Sequence, residues 1–311
     1  MAMAKRVFFF ILTNIAVMAT ISIIINIFGI GNYLTAYGLN YKFLLVFCFI
    51  WGMGGSFISL LLSKTMVKWS MGVKIIDQRT AGGNEALLLD MVRRLSSSAN
   101  IPMPEVGIYE SPELNAFATG ASKSSSLVAV STGLLESMSR DEVEGVIGHE
   151  ITHISNGDMV TMVLIQGIVN AFAMFLSRVL SYVISLALSG NRSDDSEGES
   201  SNGNGISYMT YWVLTMVFDI VFTILGSLVT AAFSRYREYK ADAGSAKIAG
   251  RQKMINALRA LQRNMNIPPE ENENAAATAS LKISGRSKVI ALFSTHPALE
   301  DRIAALEKAH I

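Results

Sequence analysis

Four long apolar runs, Val7 to Phe28, Tyr41 to Leu62, Met159 to Leu188 and Ile206 to Phe233, alternate along this chain with mixed and polar segments. At about 1.5 Å of rise per residue, each is long enough to cross a hydrocarbon core of roughly 30 Å, so the pattern predicts four transmembrane helices in two hairpins. A cleaved signal peptide would have a shorter apolar core and a small-residue cleavage site, which Val7 to Phe28 lacks. Gly52, Gly54 and Gly55 in the second run suit close helix packing in lipid. Basic residues orient the spans. Lys5 and Arg6, then Lys64, Lys68, Lys74 and Arg79, then Arg235, Arg237 and Lys240 fall on one side. The other side has no Lys or Arg at 29–40, and only Arg192 among the acids of the polar loop 191–205. The positive-inside rule therefore puts both termini in the cytoplasm.

Between the hairpins the pattern changes period. Asn84 to Ala99 places Leu88, Met91, Val92 and Leu95 at helical spacing, and Pro102 and Pro104 end it. Glu105 to Glu110, Leu114 to Gly120 and Leu127 to Gly133 read as short strands. Such strands either offer an open edge to an extended peptide or only support their neighbours. Ser139 to Asp158 reads as a helix, with a capping box of Ser139 and Glu142, a stripe of Val143, Val146, Ile147 and Ile154, and a stop at Asn156-Gly157. The expected organisation is mainly α: a transmembrane hairpin at 1–63, a second transmembrane or membrane-associated hairpin at 159–233, and cytoplasmic α+β parts at 64–158 and 234–311.

Charge adds two points. Arg178 and Asp219 are costly in hydrocarbon unless paired, and their depths in the second hairpin let them reach each other. The net charge of +1 gives no argument for a nucleic-acid partner. The single cysteine, Cys48, excludes both a disulfide framework and a cysteine zinc site.

The chemistry sits on the Ser139 helix. His149 and His153 are one turn apart, so both rings can reach one Zn2+, and Glu150 lies beside it as general base; the spacing is that of the HExxH metalloproteases. A catalytic zinc needs a third protein ligand. Glu238 and Asp242, also one turn apart, follow the fourth span, and the second hairpin returns them to the side of the membrane where the histidine helix lies. Glu238 is the candidate ligand, and Asp242 is placed to accept a hydrogen bond from a ligating imidazole. Taken alone, this stretch also reads as an ordinary charged helix laced by i,i+4 pairs.

The motifs LNAFATG at 114–120, HEITHISNGD at 149–158, REYKADAGSA at 237–246 and THPALEDRI at 295–303, with the paired spans, resemble the M48-class membrane zinc metalloproteases of the HtpX heat-shock protease family. The resemblance implies a gluzincin-like metalloprotease domain and one zinc per chain on His149, His153 and Glu238. It implies Glu150 as the base, His296 as a second catalytic residue bracing the oxyanion, and Asn115, Ala116, Phe117 and Arg302 as substrate contacts. It also implies a multi-pass protein of the bacterial inner membrane, cutting damaged or misfolded membrane proteins under heat or envelope stress. Without it, His296 reads as a structural loop residue. The stretch 264–280 is expected as a mobile loop that lids the cleft. The alternative from another class is a noncatalytic, zinc-dependent membrane scaffold.

Overall fold

The computed structural model describes residues 34–35, 38–189, 208–265 and 294–309. The first expected span, the loop 191–205, all but two residues of 264–280, and His310 lie outside them. The described chain is mainly helical: α1 (Tyr41–Met71), α2 (Asn84–Ser98), α3 (Thr132–Ser137), α4 (Arg140–Asn156), α5 (Asp158–Ser189), α6 (Tyr208–Ser245), α7 (Arg251–Met265) and α8 (Leu299–Lys308). One sheet of four strands, β1 (Lys74–Ile75), β2 (Glu105–Tyr109), β3 (Ala116–Ser122) and β4 (Ser125–Ser131), has the spatial order β1-β2-β4-β3. The described residues form two compact units, one of 59–163 with 231–265 and 294–309, the other of 38–58 with 164–189 and 208–230.

In the first unit, α4 is the buried axis. Its stripe of Val143, Val146, Ile147, Ile151 and Ile154 packs with Leu88, Val92 and Leu95 of α2, Val106, Val128 and Val130 of the sheet, and Ala257 and Ala260 of α7. The helix starts on the expected capping box: Ser139 Oγ accepts from the Glu142 N–H, and the Glu142 carboxylate accepts from the Ser139 N–H. It stops at Gly157, whose φ of 68° is the left-handed conformation that glycine adopts without penalty. Glu144 on α4 is buried and bridges α2 to α7, with one oxygen 3.2 Å from Arg94 and the other 2.9 Å from Lys253.

The strands β2 and β4 pair in parallel, while β3 returns antiparallel along β4 as the outer edge. The last expected strand ends earlier than Gly133, because Ser131 caps α3 by accepting from the Leu134 N–H. Elements absent from the sequence reading include β1, α3, α7 and α8.

In the second unit, the glycines of α1 allow the close approach expected of them: a Cβ on Gly52 would meet the Ala171 backbone nitrogen at 2.6 Å. Large apolar side chains stay exposed along α5 and α6, among them Phe172, Leu186, Ile220 and Ile224. That is the surface of a protein solvated by lipid. Among the described residues, three helical stretches are long and apolar enough to cross a membrane: Tyr41–Met71, Asp158–Leu188, and a window within Met209–Asn264. The expected Arg178–Asp219 pair is present at 3.6 Å.

Candidate metal centre

The two histidines of α4 flank its apolar stripe and are 7 % and 9 % exposed. Helix α6 continues past its apolar part and carries Glu238 and Asp242 into contact with them, both almost fully buried. Small residues permit this. A Cβ on Gly148 would meet Ser245 Oγ at 2.6 Å, and one on Gly244 would meet Thr152 Cγ2 at 2.2 Å. The contact is sealed by the Ser245 hydroxyl, which donates to the Gly145 carbonyl at 2.8 Å.

The resulting geometry is a triangle of acceptors. His149 Nε2 and His153 Nε2 are 3.0 Å apart; Glu238 Oε2 is 3.5 Å from the first, and Glu238 Oε1 is 3.3 Å from the second. Tetrahedral zinc with bonds of about 2.0–2.1 Å separates its ligand atoms by about 3.3 Å, so the three groups fit the ion. Tautomers agree with that fit. His149 Nδ1–H donates to Asp242 Oδ1 at 2.9 Å, and His153 Nδ1–H donates to Asp158 Oδ2 at 2.6 Å. Both Nε2 lone pairs are thereby committed to the common centre that Glu238 also faces. Three such groups facing one another can hold a metal ion. Among the described residues this is the one cluster of three or more His, Cys, Asp or Glu side chains able to hold a metal.

The electrostatics point the same way. Burial disfavours the imidazolium of His153, but hydrogen bonds to Asp158 and Glu238 outweigh burial and raise its pKa to about 9. His149 is likewise raised, with burial again opposed by Asp242 and Glu238. A site that holds protons this firmly when empty is one whose negative charge awaits a positive ion, and metal binding there displaces protons.

The remaining expected residues fall in different places. Glu150, half-buried on α4, has no hydrogen bond to its carboxylate among the described residues. His296 Nδ1 lies 2.9 Å from Glu238 Oε2, with 67 % of its side chain exposed. Asn115 is exposed, and its backbone is fixed by Ser131, whose N–H donates to the Asn115 carbonyl and whose Oγ accepts from the Asn115 N–H. By the alternation of antiparallel pairing, that contact turns the backbone groups of Ala116 and Ala118 toward the open edge of β3. The Phe117 ring packs against Tyr109 with centroids 5.6 Å apart, so its side chain serves the fold.

Arg302 is 6 % exposed, and its guanidinium is forked onto Asp242, Nε to Oδ2 at 2.7 Å and Nη2 to Oδ1 at 2.6 Å, with Nη1 3.4 Å from Glu238 Oε2. Two buried carboxylates need a counter-ion, and Arg302 supplies it. Asp158 was not singled out by the sequence reading. Its signal was its place directly after the Gly157 cap, five residues beyond His153.

Comparison with known proteins agrees with this geometry. The profile described as peptidase family M48 matches residues 84–310, and that of the RDD family matches 2–131. The chain is 50 % identical over 308 residues to a "Protease HtpX homolog" of Chlorobium phaeobacteroides (strain BS1), covering 98 % of this chain and 95 % of that one. It is 50 % identical over 306 residues to a protein of the same name from Paracidovorax citrulli (strain AAC00-1), covering 98 % and 99 %. Its fold is similar to the crystal structure of S. mikatae Ste24p, with a TM-score of 0.57 at 18 % identity, covering 98 % of this chain and 64 % of that one. With the family profile covering most of its length and relatives at half identity, the chain belongs to peptidase family M48 and is a membrane zinc metalloprotease.

Proposed function

We propose that this chain is an endopeptidase of the bacterial inner membrane that cuts damaged or misfolded membrane proteins from the cytoplasmic side, as part of a heat or envelope stress response. The observation that carries the reading is the convergence of His149 Nε2, His153 Nε2 and the Glu238 carboxylate, with Glu150 beside them on the same helix. Four spans are proposed, with both termini cytoplasmic. Hairpins at 1–63 and 159–233 flank catalytic parts at 64–158 and 234–311, and the basic residues at the span ends support that orientation.

His149, His153 and Glu238 would hold one zinc per chain, which when bound polarises the scissile carbonyl and acidifies a water molecule. Glu150 takes that water's proton and returns it to the leaving amine; an uncommitted carboxylate next to His149 supports this role. His296, held at Nδ1 by Glu238, keeps Nε2 for the developing oxyanion. The substrate lies extended along the outer edge of β3, pairing with the Ala116 and Ala118 backbone, with the exposed Asn115 side chain at its end. Arg302 acts through Asp242 and Glu238 and does not touch the peptide.

The test is hydrolysis of an unfolded protein by the purified chain in detergent. Turnover that chelator abolishes and zinc restores is expected; turnover indifferent to chelator contradicts the assignment. Glu150→Gln separates a protease from a scaffold: the protease variant keeps its zinc and loses turnover, whereas a scaffold keeps its function.

A further inference from the structure

We propose that Asp158 is the positioning residue for His153, fixing its ring and tautomer and so setting how firmly the chain holds zinc. The inference rests on the zinc reading above and extends it to a residue outside the HExxH and REYKAD motifs.

The chain reaches this contact by a short route. Helix α4 ends one turn past His153, where the Gly157 N–H closes the cap on the His153 and Ile154 carbonyls. At a φ of 68° Gly157 reverses the chain at once, so the next residue, Asp158, already begins α5. Its carboxylate comes back over the turn to His153 Nδ1 at 2.6 Å, and the residue is 7 % exposed. Nothing fills the space a Cβ on Gly157 would occupy, so the backbone conformation alone calls for glycine there. The Asp158 carbonyl also lies 3.4 Å from Arg237 Nη1, on the residue before Glu238, so it touches both halves of the site.

The two imidazoles are held unequally. Asp242 divides its charge between His149 and the Arg302 guanidinium, which takes both of its oxygens. The Asp158 carboxylate has His153 as its one hydrogen-bonding side chain among the described residues. An unshared carboxylate on Nδ1–H makes Nε2 the stronger donor, so His153 becomes the better-anchored ligand. Loss of such an outer carboxylate typically weakens metal binding about 10–100-fold.

Two substitutions separate this role from helix capping. Asp158→Ser keeps a capping hydroxyl at the start of α5 but is too short to reach His153. Asp158→Asn keeps the reach and the acceptor and loses the charge. The measurements are zinc affinity by competition with a chromophoric chelator, the rate at which excess chelator strips zinc, and melting of the metal-free chain, all on full-length protein in detergent. The expected order of zinc retention is wild type, then Asp158→Asn, then Asp158→Ser about 10–100-fold weaker, with metal-free melting unchanged. An Asp158→Ser chain that holds zinc like the wild type overturns the proposal while leaving the zinc site standing. So does one whose metal-free form melts well below the wild type, since the residue then serves the fold. A wild type that takes up no zinc removes both readings.

Discussion

The Arg178–Asp219 pair and the metal centre both hold ionised side chains, and their charge balance differs. In the membrane hairpin one guanidinium meets one carboxylate: Arg178 and Asp219 stand 3.6 Å apart, and Arg178 also lies over the Phe47 ring at 5.4 Å. The pairing is loose, since Arg178 Nε and Asp219 Oδ1 are buried without a hydrogen bond, yet the charges cancel. At the metal centre, Asp158, Glu238 and Asp242 gather round two imidazoles, with Glu150 beside them, and the Arg302 guanidinium pairs with Asp242 and Glu238. There the hydrogen bonds are saturated on the outer side of each ring and the inner side is left as three facing acceptors. A balanced pair permits a charge to exist in lipid; an unbalanced, converging set calls for an ion.

The contrast can be broken from either side, most severely at Glu150. Glu150→Gln should lower turnover by about a thousandfold while zinc content holds, because this carboxylate serves the proton and not the metal. A single-turnover assay paired with metal analysis checks both halves. Glu238→Ala removes one corner of the triangle and should weaken zinc binding by more than about 100-fold, beyond what loss of an outer carboxylate costs. Chelator competition measures it, and an unchanged affinity would show that the two histidines suffice.

A milder change sharpens the comparison with a buried charge that is neither catalytic nor in lipid. Glu144 is buried between Arg94 and Lys253; burial raises its pKa, but those hydrogen bonds outweigh it and hold the carboxyl below the ordinary 4.5. Its folded-state pKa is therefore depressed. The stabilisation is fully present above about pH 4.5 and is lost as pH falls through the folded value. Because both partners are partly exposed, Glu144→Ala should cost about 2 kcal/mol at pH 7 and progressively less below pH 4.5, read from melting at both pH values. The smallest effect belongs to the hairpin. A double-mutant cycle with Arg178→Ala and Asp219→Ala should give a coupling of about 1 kcal/mol, and exchanging the two residues should harm folding less than either single change. Equal harm from the exchange would deny the pairing.

Much of the site was legible because its signals are local. The capping box at Ser139, the i,i+4 histidines and the Gly157 stop lie within twenty residues of chain and fix one helix almost by themselves. Glu238 and Asp242 were legible through their i,i+4 spacing directly past the fourth apolar run. What escaped depends on contacts the sequence does not rank. Arg302 and Asp242 are sixty positions apart, and nothing in either segment says that their charges meet each other instead of solvent or substrate. Helix α7 is marked in the sequence only by Met254, Ile255 and Leu258 at helical spacing, a short apolar stripe among polar residues that declares no packing partner. Asp158 carries no signal of its own in the sequence, and its reach back to His153 follows only from the left-handed turn at Gly157.

The central claim is that an unbalanced trio of acceptors holds a zinc ion. The most direct measurement is metal content together with zinc-edge X-ray absorption on the chain purified at neutral pH. The account predicts one zinc per chain, bound by two imidazoles and a carboxylate oxygen. A chain without zinc, or a zinc lacking imidazole ligands, would contradict it.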